Sequence, residues 1–501
     1  MQRLKIFAGL LACYLATSPS VQAQTQHLVP PVVHSVIGTK TDVNNGELTL
    51  TLVDKKQAFD WSDQQTLDKS INSPKSVNIT HDGKKFYVNS LEGCATVVYD
   101  MATGKRLKVI TYQFDDAYAS LWSPVSSFFP FTHYTKNLNT FAGKPVESCF
   151  SHNGRYLWIP FYRRTYDINA QDPSALAVID TQNDTIIKLM ETGPLPKMIA
   201  CSPDNHYIAV THWGNNTVGL IDCSSDNPAD WHYTDKLVID KELVLNFSMT
   251  TPVNRDSDSG YCLRGTVFTP DGNYLLVGCM SGANGIAVID MKTHKYMGRV
   301  TGMMANLRHM LIHDGWLYLS INSSGNVQRI KLDTFLATAR KMHGKNTVLN
   351  GWQTCKVAAG ARTIVISPSG RYIFAACNVE SKLCVVDTRT MKMIGSAVVD
   401  SYPVGLDISR DGRTVIVTSQ GRGENKGGNA VNIFHVDYRE AEPIPADTVP
   451  LYKQEADTTA VASSFFSQCG ASLTSLTPLH WTVIAVIVLL LLIIIWKKVK
   501  G

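Results

Sequence analysis

The sequence predicts an all-β fold, a seven-bladed β-propeller, on three observations. A pattern of roughly forty residues recurs along 73–437, the length of a four-stranded blade. Each copy sets an Asp-Gly-like dipeptide between two β-rich runs, and each ends its third run on aspartate. One blade alone leaves both faces exposed, so stacked copies are needed to make a continuous core.

The turn dipeptides are Asp82-Gly83, Asn153-Gly154, Asp204-Asn205, Asp271-Gly272, Asp314-Gly315, Ser369-Gly370 and Asp411-Gly412. Such pairs supply the positive φ that tight hairpins need. The third runs end at Asp100, Asp180, Asp222, Asp290, Asp333, Asp387 and Asp437. A β-sandwich with long loops would not be punctuated seven times at this spacing. A fourth strand reads as 106–110, 186–190 and 296–300; the fifth copy leaves it open, with 353–357 as a candidate. After Asp437 the chain runs into Glu440, Glu442, Pro443 and Pro445, so the last blade lacks a fourth strand of its own. Within 24–72, the segment 47–53 alternates Leu48, Leu50 and Leu52 with Thr49 and Thr51, which is strand periodicity. It is expected to complete blade 7, closing the ring and covering an exposed edge.

The two ends read as targeting signals. Arg3 and Lys5, the apolar stretch 6–16 and Val21-Gln22-Ala23 make a secretory signal peptide over 1–23. Leu10-Leu11-Ala12-Cys13 also resembles a lipobox, which would put a lipid on Cys13 instead. Near the other end, 481–496 contains no charge and has tryptophan at each boundary, so 479–496 is expected to be a transmembrane helix. Lys497, Lys498 and Lys500 make 497–501 a basic cytoplasmic tail, and 438–478 reads as a flexible linker. A terminus of this kind can also be a sorting signal that an enzyme removes. The formal charge of +5 equals that of Arg3, Lys5 and the three terminal lysines, so the region between is neutral. That argues against nucleic acid as a partner.

Phe86-Tyr87-Val88-Asn89-Ser90, Ile366-Ser367-Pro368-Ser369-Gly370-Arg371-Tyr372 and Val385-Val386-Asp387-Thr388 resemble the repeats of the YVTN, or YncE-like, β-propeller family of bacterial exported proteins. The resemblance spans all seven blades and is poorest in the fifth. It implies binding or scaffolding roles, with occasional enzymes, and speaks to fold far more than to activity.

In a propeller blade the connections from second to third strand and from fourth strand to the next blade share one face. Four insertions fall there: 112–143, 161–174, 240–262 and 420–429. The start of each innermost strand opens on the same face. Counting back four residues from the apolar residue before each turn gives Lys75, Val146, Lys197, Arg264, Arg308, Arg362 and Val404. Five of the seven are basic. The two blades without a cation there carry Arg163 and Arg164, or Arg422 and Lys426, in their loops. Clustered cations repel, so an anion or adjacent carboxylates must offset them. One reading is an anion-binding funnel suited to carboxylate, sulfate or phosphate. The other is that each cation pairs with an acidic neighbour and pins the ring. Trp213 and Trp122, with His212, flank the cations and would suit stacking on sugar rings, while the remaining aromatics of 112–143 are expected to pack as a lid.

The sequence has no G-x-S-x-G, no H-E-x-x-H, no phosphate-binding glycine loop and no paired C-x-x-C. Asn254, Asp256, Asp258 and Gly260 resemble a calcium loop with its glycine misplaced, so no metal or cofactor is expected. His309 and His212 are the candidate general bases, with His313 a third histidine to consider. Cys201, Cys279, Cys377 and Cys384 lie in strand patterns and read as small apolar side chains. Cys223 and Cys262 bracket an insertion and could bridge it in an oxidising compartment; Cys469, in the linker, is placed for intermolecular pairing. Together these features describe an exported, single-pass protein of a bacterial cell envelope, with its propeller periplasmic or extracellular. It is expected to act as a binding or scaffold module for an anionic small molecule, a glycan or an envelope protein. The alternative is a lactonase-like hydrolase or a polysaccharide lyase using the same funnel.

Overall fold

The computed structural model describes residues 32–130, 138–243, 254–255, 260–282, 284–421, 428–440 and 442–443. The signal peptide 1–23, the linker beyond 443, the anchor 479–496, Cys469, Arg422, Lys426, Asp256 and Asp258 lie outside them. Among the described residues no helix is long and apolar enough to cross a membrane.

Seven sheets form the blades, antiparallel but for an added parallel edge strand, Thr347–Val348, in the fourth, and each is built outward from an innermost strand. The hairpin after that strand is dictated locally. Its second turn residue takes positive φ in every blade, from 58° at Asn205 to 87° at Gly154. At Gly83 a Cβ would meet nothing within 4 Å, so the dihedral, not space, favours glycine. Thr80, Ser202 and Ser409 each donate their hydroxyl to the aspartate two residues on, Asp82, Asp204 and Asp411, at 2.6–2.7 Å. The aspartates that end third strands cap the next turn: Asp100 Oδ1 accepts from both the backbone and hydroxyl of Thr103. Blade 5 differs. Its third strand is Asn326–Lys331, and Asp333 falls in the first turn of a helix, Leu332–Ala339, where a carboxylate suits the helix N-terminus. Its fourth strand is Gln353–Lys356.

The core lies between blades. Tyr87 and Val98 of blade 1 pack on Leu157, Ile159 and Ala177 of blade 2. Tyr112, Phe114 and Phe141 of the first insertion join that cluster, packing at tilted and edge-on angles against Phe161. These described aromatics of the insertion therefore wedge between blades, where a lid was expected. Blade 7 takes its outer strand from the N-terminal side: Leu48–Gln57 pairs with Ala430–Tyr438 from Leu48↔Tyr438 to Gln57↔Ala430, and Lys40–Val43 adds a further strand outside it. Leu48, Leu50 and Leu52 face Tyr372, Phe374 and Leu383 of blade 6. Pro74–Ile79 of blade 1 lies beside Pro403–Ile408 of blade 7, which closes the ring.

Candidate functional site

The starts of the inner strands share a local conformation that aims one side chain from each. In six blades the residue two positions before the ring position has positive φ: Ser73, Leu195, Cys262, Asn306, Gly360 and Tyr402, at 51–87°. Each is followed by a shift in register against the second strand. The shifts fall at Pro74/Val77, Pro196/Met198, Leu263/Thr266, Leu307/His309, Ala361/Ile364 and Pro403/Gly405. A bulge of this kind re-aims the extra residue. The residues inside the shifts include Lys75, Lys197, Arg264, Arg308 and Arg362, with Val404 in the seventh blade.

Neighbouring blades then pin the backbone of these residues. Ser320 of blade 5 donates to Arg362 O. Thr363 of blade 6 donates to Val404 O at 2.7 Å, Thr418 of blade 7 to Lys75 O at 3.3 Å, and Ser76 of blade 1 to Val146 O at 2.6 Å. Packing at the axis is close: a Cβ on Gly405 would come within 2.6 Å of Lys75 O. The cations are held on a stiff rim.

Their charges face one another. Lys75, Lys197, Arg264 and Arg362 are each at most 8% exposed. Burial, then the charges of Arg362 and Arg264, pull the Lys75 ammonium well below its usual value. Burial and Arg264 do the same to Lys197. Burial, Arg264 and Arg362 pull Arg308 down in turn. Among the described residues, Glu147 brings a carboxylate to the ring, its Oε1 3.9 Å from Lys75 Nζ and 4.0 Å from Arg264. Among the described residues, no carboxylate forms an ion pair with Arg308 or Arg362, and the buried Nε atoms of Arg264 and Arg308 lack hydrogen-bond partners. Lys197 Nζ sits 3.7 Å from the Tyr162 ring and 5.0 Å from that of Trp213, and Arg264 lies 5.7 Å from Trp213. These aromatic faces stabilise the cations themselves. Trp213 is 8% exposed, so the expected sugar platform is already covered.

Other expected contacts fall elsewhere. Arg164 is 1% exposed, stacked on Trp122 at 5.3 Å and Phe141 at 4.9 Å, and hydrogen-bonded to Asn139. Its charge neighbours are Glu191 and Asp172, not the ring, so Arg164 and Trp122 are corrected to packing roles. Arg163 remains near the rim, 5.3 Å from Tyr162. His212 is fully buried, with Nε2 bonded to Thr192 and Gly193 and Nδ1 to Thr217, and burial pulls it down to about 3. With both nitrogens occupied, it is corrected to a structural histidine. His309 stays at the ring: Glu147 and Arg264 act on it, its Nδ1 is buried without a partner, and burial pulls it down to about 4. His313 ends the strand Leu307–His313, at whose start Arg308 lies, so it belongs to the opposite face, where it lines a 530 Å³ cavity with Arg329 and Arg371. Cys223 and Cys262 lie in separate hydrophobic clusters and are not bridged to each other.

Sequence reasoning missed Glu147, Tyr162 and Tyr402, the last of which acts electrostatically on Arg264 and Arg308. Glu147 directly follows Val146 in the aligned column, which was the available signal.

No family model matches this sequence, and no curated protein matches it. Solved structures do. Hydrazine synthase of Kuenenia stuttgartiensis superposes with a TM-score of 0.51 at 14% identity, covering 73% of this chain and 96% of that one. The β-propeller domain of Cps50 (Swd1) from Myceliophteria thermophila superposes with a TM-score of 0.50 at 12% identity, covering 73% and 97%. At such identities the likeness concerns architecture alone: the chain is a seven-bladed β-propeller.

Proposed function

We propose that this propeller binds an anionic ligand at the five-cation rim, as an exported, membrane-anchored module of a bacterial envelope related to the YVTN, or YncE-like, proteins. The observation that carries the reading is the imbalance at the rim: cations from five blades, four of them buried, converge where Glu147 approaches Lys75 and Arg264. A set of structural ion pairs would give each arginine its own carboxylate, and Arg308 and Arg362 have none among the described residues. Calorimetric titration of the protein with sulfate, phosphate, small carboxylates and sulfated oligosaccharides tests it. Binding should be lost in the Arg264→Ala/Arg308→Ala/Arg362→Ala variant. Binding that survives those substitutions would leave the rim a structural device. The export and anchor readings rest on 1–23 and 479–496. They predict that the propeller is protease-accessible from outside the cytoplasm, and that removing 479–501 releases it from membranes.

A second reading, hydrolysis or lyase chemistry, draws on His309, whose unpartnered Nδ1 lies beside Arg264 and Glu147. Its test is turnover of lactone or uronate substrates that His309→Ala abolishes while the protein stays folded.

A further inference from the structure

Blade 2 departs from the other six at the rim. Its inner strand is split into Phe141–Pro145 and Cys149–Ser151, both paired with Tyr156–Arg164, and 146–148 crosses the gap. That crossing presents Glu147 to Lys75 and Arg264. The connector is held from blade 1 on both sides of Glu147. Asn89 Nδ2 donates to Val146 O at 2.8 Å and to Ser148 Oγ at 3.1 Å, and Ser148 Oγ donates to Asn78. The carboxylate is thus carried to the rim by a fixed backbone. Yet it does not dock: 3.9 and 4.0 Å exceed the roughly 2.7–2.9 Å of a charge-assisted hydrogen bond. It hangs between two cations and leaves Arg308 and Arg362 unmet.

Size and charge narrow what could replace it. The ring residues Lys75, Lys197, Arg264 and Arg362 are nearly enclosed. Lys197 and Arg163 lie against Tyr162, and Lys197 and Arg264 against Trp213, so these rings offer no free face to a sugar or base. A monoanion would supply no more charge than Glu147 already does, whereas Arg308 and Arg362 both lack a carboxylate among the described residues, and guanidinium forks match carboxylate, sulfate and phosphate oxygens in pairs.

Building on the anion-binding reading above, we propose that Glu147 is a tethered stand-in for the ligand, and that the ligand is a small oxyanion with two or more negative charges. It displaces the carboxylate from Lys75 and Arg264 and engages Arg308 and Arg362. Glu147 therefore sets a threshold: weakly charged anions cannot outcompete it.

The test titrates the full chain in detergent at constant ionic strength with acetate, sulfate and pyrophosphate, in wild type, Glu147→Gln and Arg308→Ala/Arg362→Ala forms whose folding is checked by thermal melting. Wild type should bind pyrophosphate more tightly than sulfate and show no acetate binding. Glu147→Gln should tighten sulfate binding by about tenfold or more, since a competing charge near two cations is gone. Arg308→Ala/Arg362→Ala should lose binding. If the arginine variant loses binding while Glu147→Gln is unchanged or weaker, the rim binds anions but Glu147 is not a competitor, and this inference falls alone. If no anion binds wild type or Glu147→Gln, the anion-binding reading falls with it. If Glu147→Gln does not fold, the charge series in wild type decides: acetate binding as tight as sulfate overturns the proposal.

Discussion

Anion binding at the rim should drag protons with it. Lys75 and Lys197 are held below their usual pKa by burial and by Arg264, Arg308 and Arg362; for Lys75 Glu147 opposes these effects, and His309 and Tyr402 stand beside the arginines. Arginine stays charged at all ordinary pH, so the lysines are the groups that yield. An incoming anion offsets the arginine charges and raises both lysine pKa values. Two lysines set the ceiling at two protons per anion. Where both are neutral in the empty rim and charged in the bound one, affinity falls with rising pH by up to about tenfold per proton per unit. The same linkage has a stability sign. For a base whose folded pKa is depressed, the unfolded chain binds more protons between the folded pKa and roughly 10.4. Stability of the anion-free protein therefore rises with pH in that window, by up to about 1.4 kcal/mol per unit per lysine, and the slope vanishes below the folded pKa. Saturating sulfate flattens it. Calorimetry with sulfate, which does not titrate near neutrality, in two buffers of different ionisation enthalpy counts the protons. Lys75→Met/Lys197→Met should abolish the uptake, whereas His309→Gln, at a site pulled down to about 4, should not. Identical heats in the two buffers, with affinity independent of pH, would refute the reasoning.

Three further outcomes separate scaffold from site. Asp400 is fully buried, accepting from Ser35 and Asn432 at 2.6 Å each and lying 3.5 Å from Lys55, so it ties the N-terminal segment to blade 7. Asp400→Ala strands the Lys55 charge and should cost about 3–5 kcal/mol in urea unfolding, with sulfate affinity of the folded fraction unchanged. Leu50→Ala empties the contact between the closing strand and blade 6 and should cost about 2–5 kcal/mol. Amide exchange should then show Ala430–Tyr438 losing protection ahead of the other blades. Arg164→Ala and His212→Gln should each lower the melting temperature and leave sulfate affinity within a few-fold of wild type; a large affinity loss at unchanged melting would return them to the site.

The blade count and the ring column were legible because each depends on a local, repeated signal. A hydroxyl two residues before an aspartate, followed by glycine or asparagine, encodes both the dihedral and the hydrogen bond of a hairpin, and counting back from it reaches the strand start. The device that aims the cations was not legible. Of the six positive-φ residues before the bulges, only Gly360 and Asn306 are types that favour that region; Ser73, Leu195, Cys262 and Tyr402 carry no such signal. Each non-glycine residue so placed costs on the order of 1 kcal/mol, which the surrounding packing has to offset. Glu147 was hidden by a different cause. Reading blade 2 in register put Val146 in the column, whereas its broken strand turns the next residue toward the rim. Arg164 and Trp122 misled because a loop position says nothing about which way a side chain packs, and here they pack on each other.

Val146 and Val404 bear on the question the rim poses. The same column accepts valine in two blades, one with the bulge and one without, and both side chains are buried. The fold therefore does not need a cation at that position, and a buried guanidinium without a carboxylate is an expense that valine avoids. If the cations serve binding, Arg308→Val/Arg362→Val should raise stability in anion-free, low-salt buffer by about 1–4 kcal/mol, the gain seen when buried charges give way to apolar packing. It should also abolish sulfate binding, and the stabilisation should shrink as sulfate is added, because only wild type gains from the ligand. If instead the arginines pin the blades through contacts of their own, the double variant melts below wild type at every sulfate concentration. The sign of that one difference separates a ring built to hold an anion from a ring built only to close.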